Sequence, residues 1–219
     1  MKILALEFST DCRSVALIRD GEILGRAEEH GGRTTKAFYC IERAMRDAEI
    51  ERESVNCIAV GLGPGSYNGV RIAISIAQGW QVARGTKVIG LSTPECLAEQ
   101  ARAIGLRGCV HIAIDAQRAE FYHASFLLDD DTARVASPLR LTTRDQIIRD
   151  AGRDLVWCDP ALVGEFSNAR GVYPDAAVLG RLAIARVNDS DPSAAGLQPI
   201  YLRETSFVKA PPPRPVVLD

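Results

Sequence analysis

Gly61-Leu-Gly-Pro-Gly-Ser-Tyr-Asn-Gly-Val-Arg71 is a glycine-rich segment between a short apolar run and a longer run rich in Ile and Ala. The short run, Cys57–Val60, predicts a buried strand, and the longer run, Val70–Ala83, predicts a helix. Glycines at such a junction allow φ > 0 and let another backbone or a ligand approach closely. The residues expected to shape this turn are Gly63, Pro64, Gly65 and Gly69.

A glycine turn at the start of a helix is a possible anion site, but the spacing here differs from the known motifs. The Walker motif needs a lysine at the helix start, and no lysine lies between Lys36 and Lys87. Ser66 stands where the dinucleotide fingerprint has its third glycine, and Pro64 stands where the nucleophile elbow has its first. The pattern favours a structural or interface turn over a phosphate-binding loop.

The composition is that of an ordinary soluble globular protein, with 47% hydrophobic and 25% charged residues among 219. The 26 Lys and Arg nearly balance the 28 Asp and Glu, so the charge does not predict nucleic-acid binding by this chain alone. Six scattered cysteines without a Cys-x-x-Cys pair are typical of reduced thiols. Because the sequence contains no secretory leader or membrane-spanning run, we expect a cytoplasmic protein.

The first part of the chain predicts the element order β-β-β-α-β-α-β-α. Strands are predicted at 3–8, 14–18, 22–28, 57–60 and 87–91, and helices at 35–49, 67–84 and 93–103. A three-stranded meander followed by strand–helix units is the order of the ribonuclease H-like fold, which actin, Hsp70 and sugar kinases contain twice. We therefore expect an α/β protein whose residues 1–104 form a ribonuclease H-like lobe.

The rest of the chain predicts a weaker version of the same series. Strands are predicted at 109–115, 120–128, 134–141 and 155–158, and helices at 143–151 and 176–187. These elements suggest a smaller C-terminal lobe at 105–204, with the best hinge at 104–108. The proline-rich residues 205–219 predict a loose tail that partner binding does not need.

The glycine segment and four other segments resemble the TsaB (YeaZ) family in sequence, order and spacing. The similar segments are Gly63–Ile72 (GPGSYNGVRI), Ile3–Thr10 (ILALEFST), Val88–Thr93 (VIGLST), Asp115–Tyr122 (DAQRAEFY) and Pro199–Arg203 (PIYLR). Together they extend the resemblance over residues 2–204. The glycine segment is fairly specific for this family by itself, and the five segments together make a strong resemblance.

The resemblance implies a two-lobed actin-like ATPase fold with a degenerate second lobe. It also implies a non-catalytic subunit that binds and activates the TsaD-type transferase, which forms threonylcarbamoyladenosine (t6A) next to the anticodon of tRNA. The implied partners are that transferase, a TsaE-type ATPase and a second copy of the chain, with tRNA reached only through the complex. The chain would need no cofactor, although ATP or ADP is possible at the shared interface.

Three segments depart from the family pattern. The first strand ends in Glu7 rather than Asp, the turn has Ser66-Tyr-Asn-Gly69 rather than Ser-Phe-Thr-Gly, and Thr34 replaces a histidine before the first helix. Such changes are easier to accept on a binding surface than in a catalytic site. No catalytic residue is therefore expected in this chain.

An autonomous ATPase or sugar kinase of the actin-like superfamily is the alternative function. Such an enzyme needs an acidic residue after the first strand, a glycine-bearing phosphate hairpin and a glycine-rich adenosine loop. Glu7 supplies the first, but the turn at Asp115–Ala119 contains no glycine. Glu7 and Asp115 remain candidates for vestigial contacts to nucleotide or Mg²⁺.

A metal-dependent transferase is a second alternative, and it requires two histidines on one helix face. His30, His111 and His123 are the histidines of the sequence, and no two of them have that helical spacing. Cys109 and His111 alternate onto one strand face, which is weak support for a site. We therefore expect structural histidines and no metal.

The helix at 67–84 is apolar around most of its circumference, so both of its faces need a cover. Its own sheet covers one face, and the helix at 35–49 with another subunit can cover the other. The residues expected at this interface are Phe38, Tyr39, Ile72, Ile76 and Trp80. A helix buried at the centre of a three-layer core explains the same composition equally well.

Overall fold

The computed structural model describes residues 1–31, 36–187 and 197–202. Its strands are β1 (Lys2–Glu7), β2 (Cys12–Arg19), β3 (Glu22–His30), β4 (Cys57–Gly61), β5 (Lys87–Leu91), β6 (Gly108–Asp115), β7 (Glu120–Leu128), β8 (Ala133–Thr143), β9 (Leu155–Cys158) and β10 (Ala169–Gly171). Its α-helices are α1 (Ala37–Asp47), α2 (Tyr67–Arg84), α3 (Thr93–Ala103), α4 (Arg144–Ala151) and α5 (Ala176–Arg186). Short 3-10 helices occur at Arg52–Ser54 and Pro160–Glu165.

The strands form two five-stranded sheets with the same arrangement. The first sheet has the order β3-β2-β1-β4-β5, and the second has the order β8-β7-β6-β9-β10. In each sheet the first three strands in sequence are antiparallel neighbours, and the next strand pairs in parallel with the first. This repeated order confirms the predicted two-lobed actin-like fold.

The central strands of the first sheet are buried on both faces. Ile3, Leu4, Ala5 and Leu6 of β1 are fully inaccessible to solvent, and β4 beside it is buried throughout. A continuous apolar run is the pattern expected of strands in a sheet covered on two sides. The predicted strand starting at Ile3 is therefore confirmed, with boundaries one residue earlier at each end.

The helices alternate with the sheets in layers. Helices α1 and α2 cover one face of the first sheet, and α5 covers its other face. Helix α3 packs on the inner face of the second sheet and also contacts α5. Helix α4 covers the outer face of the second sheet. The two sheets therefore enclose a middle layer formed by α3 and α5.

Helix α5 follows the second sheet in sequence but packs on the first. Residues 176–187 were expected in the C-terminal lobe, yet they pack on β1 and β2 of the first sheet. Small residues permit this contact, because a β-carbon on Gly180 would overlap the side chain of Ile18. The Ala176 amide also donates a hydrogen bond to Ser14 Oγ at 2.9 Å. A boundary near residue 104 thus separates the sheets but not the helices that cover them.

The second sheet carries fewer helices than the first, as expected for a degenerate lobe. Helix α2 connects β4 to β5 in the first sheet, whereas the equivalent connection from β9 to β10 contains only the 3-10 helix at Pro160–Glu165. The predicted tail at 205–219 and Thr34 lie outside the described residues. In the described parts of the chain, no helix is long and apolar enough to cross a bilayer.

Candidate functional site

The glycine turn between β4 and α2 packs closely on the loop that follows β1. The Ser66 amide donates to the Ser9 carbonyl oxygen at 2.6 Å, and Ser66 Oγ accepts from the Gly69 amide at 3.3 Å. A β-carbon on Gly65 or Gly69 would overlap the carbonyl oxygen of Ser9 or Phe8, respectively. Glycine is required because two backbone segments meet here, which supports a structural role for the turn.

An open groove of about 1300 Å³ lies between α1 and α2 on the outside of the first sheet. Its apolar lining includes Phe38 and Ile41 of α1 and Ile72, Ile76 and Trp80 of α2. The three α2 residues are spaced by four and are half-buried, so they form one stripe along the helix. Among the described residues nothing encloses α2 in a three-layer core: one face of the helix packs on the sheet, and another lines this α1–α2 groove.

Four of the five predicted interface residues line this groove, and Tyr39 is the exception. Phe38 is 68% exposed, an unusual value for a phenylalanine, and it stands beside the stripe formed by α2. Tyr39 is 61% exposed on α1 but does not belong to the groove lining. The structure thus brings together side chains that are more than thirty residues apart in the chain.

Two charged pairs also line the groove. Arg52 pairs with Glu42 of α1 at 3.1 Å, and Arg84 of α2 pairs with Glu53 at 3.4 Å. An apolar centre with a polar rim is the usual organisation of a protein–protein interface.

The last described segment lies against the beginning of α2. The Ile200 amide donates to the Leu62 carbonyl oxygen at 2.9 Å, and the Tyr201 ring stacks on Tyr67 with centroids 5.6 Å apart. The Arg71 guanidinium lies 4.5 Å from the centroid of that Tyr67 ring. Residues 197–202 therefore contact the first sheet's glycine turn, although the sequence placed them in the second lobe.

Glu7 is completely buried at the end of β1. Its Oε1 accepts a hydrogen bond from the Ser9 amide at 2.8 Å, whereas Oε2 has no hydrogen-bond partner among the described residues. Gly61 faces this carboxyl group, and a β-carbon there would overlap it. Burial raises the pKa of Glu7, and the nearby Asp175 carboxylate adds to the rise. A carboxyl group whose charged form is disfavoured by burial is poorly suited to hold Mg²⁺.

Glu7→Gln is expected to make stability less dependent on pH. Because the pKa of Glu7 is raised in the folded state, the contribution of Glu7 to stability is complete below the ordinary glutamate range and is lost as the pH rises through the folded pKa. The amide of Gln does not ionise, so it removes this loss. The melting temperature of the variant relative to that of the unmodified protein should therefore be higher at about pH 8 than at about pH 5. Parallel profiles for the two proteins would show that folding does not raise the pKa of Glu7.

Asp115, the second candidate carboxylate, is the last residue of β6, directly before the turn to β7. It accepts hydrogen bonds from the Gln117 amide at 2.7 Å and from Gln117 Nε2 at 2.8 Å. Gln117, Arg118 and Ala119 all have positive φ values near 60°. The carboxylate therefore stabilises a tight turn without glycine.

The histidines of the second sheet touch each other, which the sequence analysis missed. His111 Nδ1 and His123 Nε2 are 2.9 Å apart, and the two rings are nearly parallel, with centroids 5.2 Å apart. Both side chains are buried, and burial, followed by the neighbouring His111, lowers the pKa of His123 to about 4. The contact depends on the register of β6 with β7, where Ala113 opposes His123. The turn at Asp115 was the signal in the sequence for this contact, because that turn sets the register of β6 with β7.

The sequence and the fold of this chain are similar to those of known proteins. Residues 33–148, just over half of the chain, match the family model described as "TsaD: tRNA N6-adenosine threonylcarbamoyltransferase". The chain is 34% identical over 135 residues to the tRNA threonylcarbamoyladenosine biosynthesis protein TsaB of Escherichia coli, covering 60% of this chain and 57% of that protein. TsaB of Haemophilus influenzae is 32% identical over 56% of this chain and 52% of its own length. The chain thus spans about half of the length of these curated relatives.

A solved structure supports the same relationship over almost the whole chain. YeaZ from Pseudomonas aeruginosa superposes with a TM-score of 0.78 at 25% identity, covering 92% of this chain and 99% of that one. The likeness therefore includes both sheets.

Proposed function

This chain belongs to the family described by the TsaD model and, within it, to the TsaB (YeaZ) group, and from that premise we propose that it takes part in t6A formation on tRNA as a binding partner. In this proposal the chain binds and activates a TsaD-type transferase and does not itself transfer the threonylcarbamoyl group.

The α1–α2 groove is the observation that carries the proposal. It exposes Phe38 and a half-buried stripe ending at Trp80, and large aromatic side chains are frequent anchors at interfaces. Covering these side chains with an apolar helix of a partner would remove them from water. Gly79 on the groove wall is exposed and has open space beside it, which would allow a partner helix to approach closely.

The carboxylates support a binding role over a catalytic one. Glu7 is buried beside the Ser9 amide, and Asp115 is bonded within its own turn. Neither arrangement presents a free carboxylate of the kind that holds Mg²⁺ at a nucleotide phosphate. The residues Gly63, Pro64, Gly65 and Gly69 then serve to position the start of α2 and, through it, the groove.

Activation follows if the partner has active and inactive arrangements and the groove binds the active one more tightly. A second copy of this chain can bury the same apolar stripe, so the homodimer and the transferase complex would compete for it. A TsaE-type ATPase would join the transferase complex, and any ATP or ADP would bind at the shared interface. Contact with tRNA would then come through the transferase.

Light scattering of the chain alone, and then mixed with the TsaD-type subunit of the same cell, tests this function. We expect a one-to-one complex that replaces the homodimer as the transferase subunit is added, because both assemblies use one surface. The isolated chain should not hydrolyse ATP above the background of a mock preparation.

The opposite result would favour the autonomous ATPase or sugar kinase. If no complex forms, and the isolated chain turns over ATP in a way that Glu7→Ala abolishes, the partner function is wrong. Circular dichroism of Glu7→Ala is needed alongside, since the substitution leaves a cavity in a buried site.

A further inference from the structure

A cluster of potential metal ligands lies on the outer face of the second sheet, away from the α1–α2 groove. Cys109 and His111 point to the same face of β6, and Asp154 directly precedes β9, whose Leu155 pairs with Val110. One donor atom from each of the three side chains lies within 4.8 Å of the others. His111 Nε2 is 3.5 Å from Cys109 Sγ and 3.8 Å from Asp154 Oδ2.

His111 is held so that this nitrogen points at the other two donors. Its side chain is only 6% exposed, and its Nδ1 lies 2.9 Å from Nε2 of the His123 ring, which is nearly parallel to it. When His111 carries its proton on Nδ1 and donates it to His123, Nε2 presents a lone pair to the cluster. A histidine ligand oriented through its second nitrogen is the common arrangement in metal sites.

The outer end of this histidine pair is also polar. His123 Nδ1 has no hydrogen-bond partner among the described residues but lies 3.9 Å from the Asp150 carboxylate. Asp150 pairs with Arg140 and accepts a hydrogen bond from Gln146 Nε2 at 2.8 Å. With its proton on Nδ1, His123 directs this N–H toward Asp150 and accepts the His111 proton at Nε2. A single placement of the protons therefore fits all the contacts from the metal-ligand cluster to Asp150.

We propose that Cys109, His111 and Asp154 bind a divalent cation of the zinc class, with one coordination position left for water. Zn²⁺ in tetrahedral sites has Zn–S bonds of about 2.3 Å and Zn–N bonds of about 2.0–2.1 Å, which place sulfur and nitrogen about 3.5 Å apart. The observed separation of Cys109 Sγ and His111 Nε2 matches this spacing. Asp154 is half-exposed, so its carboxylate can close the remaining distance by a small movement. This site departs from the expectation of no metal drawn from the sequence.

A second group of similar residues, Cys12, Glu28 and His30, is less suitable. Glu28 is already paired with Arg26, and the His30 side chain is 63% exposed. Cys12 Sγ and His30 Nε2 are 3.6 Å apart, but among the described contacts nothing holds the other nitrogen of His30. This group therefore serves as the matched control.

Cobalt titration of the tag-free, metal-stripped chain under reducing conditions tests the proposal. We expect one equivalent of Co²⁺ to produce a thiolate-to-cobalt charge-transfer band that added Zn²⁺ removes. Cys109→Ser should abolish the band, and Asp154→Asn should weaken binding by at least about 10-fold, while Cys12→Ser should behave as the unmodified protein.

The substitution at the exposed Asp154 keeps the test valid if Cys109→Ser folds poorly, which circular dichroism would show. Absence of the charge-transfer band in the unmodified chain would overturn the proposal. So would a band that survives Cys109→Ser and is lost in Cys12→Ser, because it would place the metal at the other group.

Discussion

Gly69→Ala is expected to destabilise the protein by about 3 kcal/mol, the upper end of the usual cost of overpacking. Its new β-carbon would lie far closer to the Phe8 carbonyl oxygen than the 3.0 Å that real β-carbons keep. The obstacle is the backbone of Phe8, a buried residue that directly follows β1, so it cannot move aside as a flexible side chain would. The first turn of α2 or the β1 loop must shift instead.

Gly79→Ala is the matched control in the same helix. A β-carbon on Gly79 meets no atom within 4 Å, and alanine favours helix over glycine by about 1 kcal/mol. This variant should therefore be as stable as the unmodified protein or more so. Guanidinium unfolding followed by circular dichroism compares the midpoints, and similar midpoints for the two variants would show that the Phe8–Gly69 contact is not tight in solution.

Ile76→Asp is expected to weaken the complex with the TsaD-type subunit by at least about 100-fold, because an unpaired carboxylate would be buried in an apolar interface. Ile76 lies in the middle of the groove stripe, between Ile72 and Trp80. Trp80→Asp should have a similar effect, since it removes an aromatic anchor and adds the same charge.

Val82→Asp is the control for a charge added to α2 outside the groove. Val82 is 88% exposed and does not line the groove, so binding should stay within about 3-fold of the unmodified protein. Light scattering and titration calorimetry measure both assemblies, with circular dichroism to establish folding. Equal affinities for Ile76→Asp and Val82→Asp would place the interface elsewhere on the molecule.

Much of this protein's local structure could be predicted from its sequence. The apolar run from Ile3, the glycine turn and the helix after it are patterns of neighbouring residues, and each forms the predicted element. The order of these elements is sufficient to indicate the ribonuclease H-like arrangement of the first sheet. The spacing of Ile72, Ile76 and Trp80 likewise places them on one side of a helix before any tertiary contact is known.

Contacts between distant segments required the tertiary structure. Helix α5 follows the second sheet in sequence but packs on the first, because its small residues fit against Ile18 there. The approach of Phe38 to the α2 stripe depends on the separation of two helices, and the contact of His111 with His123 depends on strand register. A sequence pattern specifies which face of an element is apolar through the period of that element, whereas the partner of each face is selected by packing of the whole chain.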